Sequence, residues 1–539
     1  MDFNLTNDIN PKLNAFDLGH NHFTTINMGD LVPISWLECV PGDIFNLDME
    51  MLVRAQPMLA PIMNNLTCDI HAFFVPTRLL WKDWESFCTT IIQDSIPPKT
   101  FEGTPPVWGQ KDDVEQATLP NINLASMSLW DYFGFSRIFK VDALADKRPL
   151  DFLRRAYYFI WNEWFRDENL QEPIDYYNTD RQDVLKRAWR KDYFTASYVG
   201  RQKGTSPSVP LSGTGSVKWT KQFFTQLASV QETNEVFAFR KIDNKGIGMR
   251  AVQLEGGIGS YPTLDQTNQA FLDFLNDNSF DMSNVGTFDT NDLREMFQIQ
   301  KFLERLMMAG SRYIEFLQSQ FGVSPSDSRL QIPERIGGTS FNIKISEVIA
   351  TAETELANGE VNPQGNQSGH GLSVSAGSLG TYKAVEFGYI IVLANIQPPA
   401  VYVDRIPKEM FRKTLLEQYN PHFVNLSFQA TENREIYAQG TTEDEGIFAY
   451  AGRYDEMREK QSYISGDMYD KLDFYLNFRK FTTLPRFNSD FIECKPDNHI
   501  FKVQDEPPFL CNFYCDFKAL RPLPLVSEPS LIDHVYGGI

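Results

Sequence analysis

The chain has 539 residues, of which 42% are hydrophobic and 22% charged, a balance typical of folded globular proteins and not of disordered ones. Its 50 basic residues are outnumbered by 70 acidic ones, which gives a net charge of -20. A surface with that charge repels nucleic acid overall, so any contact with DNA has to be local.

Two segments near the start alternate between apolar and polar residues, the period-two pattern of a strand with one buried face. The first covers residues 44–53 (IFNLDMEMLV), and the second covers residues 66–76 (LTCDIHAFFVP), where Pro76 ends it. A Pro-rich connection separates them. The economical expectation is therefore a pair of antiparallel strands.

Three helical patterns then interrupt the strands. A short amphipathic pattern covers residues 79–88, and a longer one begins at Pro149 and spaces apolar residues three and four apart as far as Trp164. The strongest runs from 292 to 321, with Gly310-Ser311 as the expected kink. All three lie between β segments.

Further strands are predicted at 387–397 (FGYIIVLANIQ), 480–487 (KFTTLPRF) and 509–520 (FLCNFYCDFKAL). Residues 354–380 are rich in Gly, Ser and Asn and predict an exposed loop. Strands at both ends and in the middle, with helices and long loops between them, favour a β-sandwich or jelly roll with large insertions over an alternating βαβ fold.

The longest apolar stretch, residues 389–394, is far too short to span a bilayer, and the N-terminus lacks a basic region followed by an apolar run. Six cysteines at irregular positions do not indicate a disulfide framework in so long a chain. We therefore expect no membrane insertion and a reducing compartment.

Metal-site patterns are weak. His20 and His22 would point to one side of a strand, but no second cluster with ligand spacing accompanies them. A zinc site could in principle combine Cys494, His499, Cys511 and Cys515. The last two cysteines alternate with phenylalanines, which indicates core positions instead. Since nucleotide-binding and hydrolase motifs are absent as well, we expect neither a metal nor a cofactor.

Residues 161–171 (WNEWFRDENLQ) crowd carboxylates at the end of the second predicted helix. Glu163 and Asp167 are four residues apart and would share one helix face, as a general acid and base could. The alternative is a solvated helix end in which Arg166 offsets the repulsion among Glu163, Asp167 and Glu168. The second interpretation is favoured, because carboxylates are abundant throughout this acidic chain.

Residues 181–203 form the strongest local electrostatic feature. Seven basic residues stand there against two acidic ones, a net charge of +5, with aromatic residues interleaved. Such a segment can hold single-stranded nucleic acid by phosphate pairing and stacking, although a basic face packed on an acidic neighbouring subunit explains it equally well. The candidate DNA-facing residues are Lys186, Arg187, Trp189, Arg190, Lys191 and Tyr193.

Several blocks are distinctive when taken together. The longest is 291–338 (NDLREMFQIQKFLERLMMAGSRYIEFLQSQFGVSPSDSRLQIPERIGG), and the others are WNEWFRDENLQ, FDLGHNHFTTINMGDLVPI, VPGDIFNLDMEMLVR, DIHAFFVPTRLLWKDW, DYFTASYVGRQKG and RPLPLVSEPSLIDH. They resemble the major capsid proteins of gokushoviruses, small single-stranded DNA phages of the microvirus family. The resemblance extends over nearly the whole chain and marks WNEWFRDENLQ as part of a coat protein, not a catalytic centre.

The resemblance implies one viral jelly-roll domain over residues 1–539, an eight-stranded β-barrel with long inter-strand insertions that contain α-helices. It implies a structural role without enzymatic activity: copies form a T=1 icosahedral shell around circular single-stranded DNA, helped by a small basic DNA-binding protein. The chain would then be a virion component that is assembled in the cytoplasm of a bacterial host.

The resemblance also implies that residues 212–290 form a variable surface insertion, which builds protrusions at the three-fold axes and meets a host cell-surface receptor. Its acidic residues are candidates for host recognition, namely Asp265, Asp273, Asp277 and Asp281. A variable, polar and loop-rich stretch is what an exposed recognition surface requires.

For self-association, the candidate contacts are an N-terminal arm of residues 1–30 and the helical aromatics Trp161, Trp164, Phe297 and Phe302. The same aromatics could equally pack within one subunit. Two rival functions stay open at this point. One is a jelly-roll carbohydrate-active enzyme that uses Glu163 or Asp167, and the other is a trimeric receptor-binding spike.

Overall fold

The computed structural model describes residues 13–89, 126–137, 149–177, 181–207, 236–241, 247–252, 290–343, 345–349, 354–355, 361–362 and 367–525. The chain divides into two compact units. The first consists of Met1–Arg201 and Leu306–Ile539, and the second of Gln202–Arg305.

Within these described ranges the strands are, in chain order, β1 (Asn14–Asp17), β2 (His20–Ile26), β3 (Leu31–Cys39), β4 (Ile44–Ala55), β5 (Leu66–Pro76), β6 (Val236–Lys241), β7 (Ile247–Val252), β8 (Glu334–Ile343), β9 (Ile345–Ile349), β10 (Thr354–Glu355), β11 (Val361–Asn362), β12 (Gln367–Lys383), β13 (Gly388–Gln397), β14 (Gln429–Glu432), β15 (Ile447–Ala451) and β16 (Phe509–Arg521). The α-helices are α1 (Thr77–Leu80), α2 (Trp84–Thr89), α3 (Leu129–Tyr132), α4 (Phe152–Ile160), α5 (Thr290–Ala309), α6 (Tyr313–Phe321), α7 (Asp327–Leu330) and α8 (Ser489–Ile492). A π-helix, Trp161–Phe165, continues from α4, and 3-10 helices occur at Lys408–Phe411, Pro421–Phe423, Asn433–Glu435, Thr442–Glu445, Asp455–Met457, Gly466–Tyr469 and Asp473–Tyr475.

Two antiparallel sheets in the first unit enclose the main core. In one, the strand order is β1-β16-β4-β12-β9, and β2 also pairs with β16. In the other, the order is β3-β13-β5-β8. The chain thus changes sheet at most of the connections between these strands, as it does in a jelly roll. The prediction of a mainly β, antiparallel fold is confirmed, and the helices do lie in long inter-strand connections.

Alternation of apolar and polar residues builds the core between the two sheets. The buried apolar side chains of β4 and β16 are Phe45, Leu47, Met49, Met51, Val53, Ala55, Phe509, Cys511, Phe513, Cys515, Phe517 and Ala519. They join one cluster with the inward side chains of β5 and β13, such as Phe74 and Val392. The period-two pattern therefore predicted correctly which faces are buried, and it placed Cys511 and Cys515 correctly in the core.

A helical layer covers the outer face of the second sheet. The helix predicted after Pro149 begins at Phe152, and its side chains pack with Phe73 of β5 and Leu393 of β13 in a second apolar cluster. Before its first turn, the fully buried Asp151 accepts hydrogen bonds from Arg154 and Arg155, whose side chains are buried as well. Burial of this ion cluster is tolerable only because the opposite charges meet.

The strongest predicted helix is confirmed, and so is its break. It forms α5 and α6, which are separated at Gly310. Gly310 has a φ of +85°, and a side chain there would put its Cβ 2.2 Å from a carboxylate oxygen of Glu315. Because that φ is unfavourable for L side chains and the space is filled, the chain has to change direction at a glycine.

One expectation about the N-terminal part is wrong, and another, that the arm of residues 1–30 contacts other subunits, stays a prediction. β4 and β5 are not partners: β4 pairs with β12 and β16, whereas β5 pairs with β13 and β8 in the other sheet. Residues 14–17 and 20–26 of the predicted arm are strands of the chain's own sheet, paired with β16. They add to an edge of β16 because its backbone groups need partners there. Residues 1–12 lie outside the described residues.

Two expectations about the C-terminal half are also wrong. Residues 367–380 are not a loop but the larger part of β12, which pairs with β4 and β9. Small residues are required there: a Cβ on Gly377 would lie 2.9 Å from the ring of Phe341. Residues 480–487 form no strand. Their aromatic content serves a separate apolar cluster, in which Phe481 packs near Phe491.

In the second unit, β6 and β7 form a hairpin with Val236 opposite Val252. This hairpin lies within the predicted insertion of residues 212–290. Most of that insertion, including Asp265, Asp273, Asp277 and Asp281, lies outside the described residues. Its role in host recognition stays a prediction.

Candidate nucleic-acid interface and subunit contacts

Backbone contacts hold the central part of the basic segment (residues 181–203) in place within the first unit. The amide of Arg187 donates to the carbonyl of Gly29 at 2.8 Å, and that of Trp189 donates to Ile492 at 2.9 Å. Ala188 forms an isolated bridge with Glu493. The segment is thus bound on both sides by distant parts of the chain, which fixes where its side chains point.

Carboxylates of the same chain pair with the basic side chains predicted to face DNA. Lys186 Nζ lies 2.7 Å from Asp30, and Lys191 Nζ lies 3.1 Å from Asp167. Arg187 and Arg190 share Asp69, at 2.6 and 2.8 Å. The local excess of positive charge is therefore smaller than the composition of the segment implies.

Asp69 is the centre of this arrangement, and its carboxylate also accepts a hydrogen bond from the Ser340 hydroxyl at 2.6 Å. Burial alone would raise the pKa of Asp69, but the bond from Ser340 and the charges of Arg187 and Arg190 lower it below its ordinary value. The carboxylate therefore stays ionised and anchors the basic segment to β5.

The two aromatic candidates do not face a ligand. Trp189 is buried beneath Arg479, whose guanidinium lies 5.0 Å from the indole centroid. Tyr193 is buried and donates to Glu435 at 2.8 Å. Since a base can stack only on an accessible ring, the stacking role predicted for these two residues is wrong. Trp189 and Tyr193 instead anchor the basic segment to the rest of the subunit.

A cavity of about 700 Å³ lies where the basic segment meets the end of WNEWFRDENLQ. Its lining carries six basic and three acidic residues: Arg166, Arg187, Arg190, Lys191, Arg312, Arg335, Asp167, Glu168 and Glu315. His71 also lines it, and burial together with the nearby Arg187 lowers the pKa of His71 to about 4. A neutral imidazole and a cationic wall suit an anionic, hydrogen-bonding ligand.

Two of the three carboxylates of WNEWFRDENLQ form ion pairs within the chain. Glu163 lies in the π-helix, where burial raises its pKa, and Asp167 pairs with Lys191. Glu168 lies 3.6 Å from Arg166 and 3.3 Å from Arg312. Asp167 and Glu168 are thus both engaged in ion pairs. This agrees with the interpretation of the stretch as a helix end whose charges are balanced by nearby basic residues.

The four aromatics predicted at subunit contacts fall into two groups. The Trp161 indole donates to the Lys186 carbonyl at 3.3 Å, and the Trp164 indole donates to the Pro333 carbonyl at 2.9 Å. Trp161 is buried within the subunit, so an intersubunit role for it is wrong, whereas Trp164 is only half-buried and its contact role stays a prediction. Phe297 and Phe302 on α5 are 65% and 45% exposed, and a contact role for them stays a prediction.

The histidine pair makes hydrogen bonds within the chain. The His20 ring contacts the Leu18 carbonyl and the Ser35 hydroxyl, and the His22 ring contacts the Ile34 carbonyl at 2.7 Å. Over the described ranges, no group of three or more His, Cys, Asp or Glu side chains is arranged to hold a metal ion. Likewise, no described helix has the length and apolar character needed to cross a bilayer.

The cysteines behave as core residues. Five are buried, namely Cys39, Cys68, Cys494, Cys511 and Cys515, and the structure describes Cys88 as exposed. Burial raises the thiol pKa of Cys39, Cys494 and Cys515 to about 12. Such thiols stay protonated and are poor metal ligands or nucleophiles.

Sequence reasoning missed the residues that organise the cavity, chiefly Asp69, His71 and Arg335. One signal was available for the first two. In residues 66–76 the inward face is apolar, whereas Asp69 and His71 share the opposite face at period two. Polar residues on the second face of a largely buried strand indicate a covered polar contact.

We expect Asp69→Asn to lower the free energy of unfolding by about 1–3 kcal/mol at neutral pH, because Arg187 and Arg190 would lose their shared carboxylate. A lowered carboxyl pKa stabilises the fold above the unfolded-state pKa, and that stabilisation is lost as pH falls through the folded value. The difference from wild type should therefore shrink below pH 3.8, the ordinary value for Asp.

Urea titration of the unassembled chain at neutral and acidic pH measures this difference. The matched control is Asp516→Asn, because Asp516 pairs with the exposed Lys518 at 3.3 Å and should change stability little. Equal losses in the two variants would show that Asp69 is not the anchor of the basic segment.

Comparison with known proteins matches nearly the whole chain. The profile of a family described as capsid protein (F protein) matches residues 9–531. Capsid protein VP1 of Chlamydia phage 1 is 30% identical, over 96% of this chain and 96% of its own length. The VP1 capsid proteins of Bdellovibrio phage phiMH2K and Spiroplasma virus 4 are each 28% identical, over 94% and 95% of this chain and 93% and 94% of their own lengths.

Proposed function

The chain belongs to the capsid protein (F protein) family, and from this membership we propose that it assembles into a T=1 icosahedral shell around a circular single-stranded DNA genome. It is a structural capsid protein and a component of the virion, not an enzyme. The observation that carries the proposal is the family match over residues 9–531. The resemblance to gokushovirus capsid proteins is thereby confirmed.

The proposed genome contact is confined to the cationic cavity and its rim. The net charge of -20 opposes general binding, and intrachain carboxylates already pair with Lys186, Arg187, Arg190 and Lys191. Arg190 and Lys191 nevertheless stay about half exposed at 47% and 58% of the side chain, so phosphates can approach them. Most of the genome charge then has to be neutralised by a separate small basic DNA-binding protein.

We further propose that residues 212–290, with Asp265, Asp273, Asp277 and Asp281, meet a host cell-surface receptor, and that assembly takes place in the bacterial cytoplasm. These residues fall within the sequence span of the second compact unit, Gln202–Arg305, which contributes no strand to the two main sheets as described. An insertion outside the core can vary without loss of the fold.

Negative-stain microscopy of the purified chain tests the shell, with and without single-stranded DNA and a basic peptide. Closed isometric particles of one size are the expected result. A chain that stays monomeric in every condition would overturn the shell proposal, and a discrete trimer would point to a receptor-binding spike instead.

We expect removal of Arg187, Arg190 and Lys191 by substitution with Gln to lower the DNA content of assembled particles. Because the two arginines hold Asp69, the variant should also carry Asp69→Asn, so that no buried carboxylate is left unpaired. The logarithm of the DNA-binding constant falls with the logarithm of the salt concentration, and the slope should become shallower by about 0.7 for each phosphate that the variant no longer binds.

The control is Arg181→Gln, which removes a base from the same segment at a position outside the cavity lining, where Arg181 pairs with the exposed Asp183. Particles with normal DNA content and an unchanged salt slope in the cavity variant would rule out this cavity as the genome contact.

A further inference from the structure

Arg335 differs from the other basic residues that line the cationic cavity. Those five each have a carboxylate partner within the subunit, and they are Arg166, Arg187, Arg190, Lys191 and Arg312. For Arg335, no carboxylate of the described residues lies within ion-pairing distance of the guanidinium. The Asp327 carboxylate accepts only from its backbone amide, at 3.2 Å. Because Arg335 is also exposed, its charge is available to a ligand.

The second sheet brings Arg335 next to the aromatic part of the cavity. In the pairing of β5 with β8, Ala72 lies opposite Gly337 and Phe73 lies opposite Arg335, so Ile336 is one extra residue on β8. A bulge of this kind changes the direction of the side chains beside it. Arg335 and Phe73 both line the cavity. The unpaired guanidinium is therefore held by a strand, not by a loop, beside the Phe73 ring.

The aromatic part of the cavity is accessible in part. The Phe73 ring contacts those of Trp164 and Phe165, with centroids 5.5 and 5.9 Å apart. Phe73 is buried, whereas Trp164 and Phe165 are half-buried and also line the cavity. Met308 adds an apolar side chain that is 62% exposed. The cavity thus offers aromatic and apolar surface next to a cation that lacks a partner.

Size and chemistry together indicate a nucleotide as the ligand. The cavity volume of about 700 Å³ falls within the range of about 300–1,000 Å³ of pockets for small organic molecules, more than a single inorganic anion needs. A guanidinium binds phosphate through two parallel hydrogen bonds, and aromatic side chains stack with any base, because every base has a π-face. An acidic side chain of another protein would pair with the guanidinium but leave the aromatic surface without a partner.

We propose that one nucleotide of the packaged single-stranded DNA enters this cavity, with its phosphate on the Arg335 guanidinium and its base against Trp164 and Phe165. The inference rests on the proposed function and deepens it, because the ligand becomes a whole nucleotide and not a run of phosphates. Neighbouring phosphates then reach the half-exposed Arg190 and Lys191. Since stacking does not read the edge of a base, the site accepts all four bases.

The first test measures how tightly the unassembled full-length chain binds two oligonucleotides of equal length at low salt. One is oligothymidylate, and the other is its abasic analogue, which has the same phosphates but no bases. Wild type should bind oligothymidylate about tenfold more tightly. Arg335→Gln should weaken binding of both about tenfold, whereas Phe165→Leu should weaken binding of oligothymidylate alone.

The matched control is Arg329→Gln, which removes an exposed arginine outside the cavity lining and should change neither affinity. Equal affinity of wild type for the two oligonucleotides would overturn base entry into the cavity. Equal losses in Arg335→Gln and Arg329→Gln would overturn the phosphate site.

Photo-crosslinking locates the base without any substitution in the protein. Shells are assembled around single-stranded DNA that contains 5-iododeoxyuridine, which crosslinks to the side chains it contacts when it is irradiated. Crosslinked peptides that contain Trp164 or Phe165 support the proposal, and crosslinks confined to other peptides would overturn it without affecting the shell assignment.

Loss of shells in Arg335→Gln with unchanged oligonucleotide binding would also overturn the proposal, because an acidic segment of a second copy would then occupy the cavity. A wild-type chain that forms no shell in any condition would instead overturn the proposed function itself.

Discussion

Replacement of Asp151 with asparagine is expected to lower the free energy of unfolding by about 3–5 kcal/mol, because the carboxylate compensates two buried guanidinium groups. Arg154 Nε donates to it at 2.7 Å and Arg155 Nε at 3.2 Å, and all three side chains are almost completely buried. Carbonyl oxygens such as that of Leu80, which accepts from Arg155 at 3.1 Å, cannot replace the missing negative charge.

Chemical denaturation of the unassembled chain measures this loss, provided that unfolding is reversible. The control is Asp183→Asn, which breaks the Arg181–Asp183 pair, an ion pair of the same chemistry with side chains 44% and 54% exposed. It should change the free energy of unfolding by about 0–1 kcal/mol. A loss in Asp151→Asn no greater than in this control would show that the buried cluster contributes nothing net.

The second large effect is expected for Phe73→Ala, with a loss of about 3–5 kcal/mol. Phe73 lies on the outer face of β5, where its ring contacts those of Trp164 and Phe165 with centroids 5.5 and 5.9 Å apart. Truncation would leave a cavity between the sheet and the π-helix that follows α4. Through Trp164 and Phe165, WNEWFRDENLQ thus packs the helical layer against the second sheet.

Phe23→Ala provides the comparison, because Phe23 also lies in a strand but is 75% exposed. Its removal should leave the denaturation midpoint of the unassembled chain nearly unchanged, within about 0.5 kcal/mol. If Phe73→Ala cost no more than Phe23→Ala, the helical layer would have to be held by contacts other than this aromatic cluster.

Local patterns predicted the strands well where one face is buried. Residues 44–53 and 509–520 alternate so regularly that both the strand and its inward side chains follow from the sequence. Which strands pair could not be read in the same way. β4 and β5 are neighbours in sequence but lie in different sheets, because the chain crosses the core between them.

Composition was misleading where small residues serve packing. The Gly- and Ser-rich residues 367–380 suggested a loop, yet they belong to β12. A small residue is needed at Gly377, because a Cβ there would lie 2.9 Å from the ring of Phe341 in β8 of the other sheet. Glycine content signals a turn only when no close approach of backbone elements requires it. That requirement depends on tertiary structure and is invisible in one sequence.

For the candidate site, the sequence located the basic segment but not its partners. Asp69 lies 118 residues before Arg187 in the chain, and no local pattern links them. The interleaved aromatics suggested stacking on bases, whereas Trp189 and Tyr193 are buried. Charge and aromatic spacing thus indicate which segment could bind nucleic acid. Contacts with distant parts of the chain decide which of its side chains can reach a ligand.

The five buried thiols allow opening of the subunit to be followed in time. Burial shields them from reagent and raises their pKa, to about 12 for Cys39, so alkylation of the folded state is very slow. Cys88, which is exposed, should react at once. In a pulse of alkylating reagent, the amplitude of the rapid phase measures the number of subunits, and the rate of the slow phase measures how fast the main core opens to solvent.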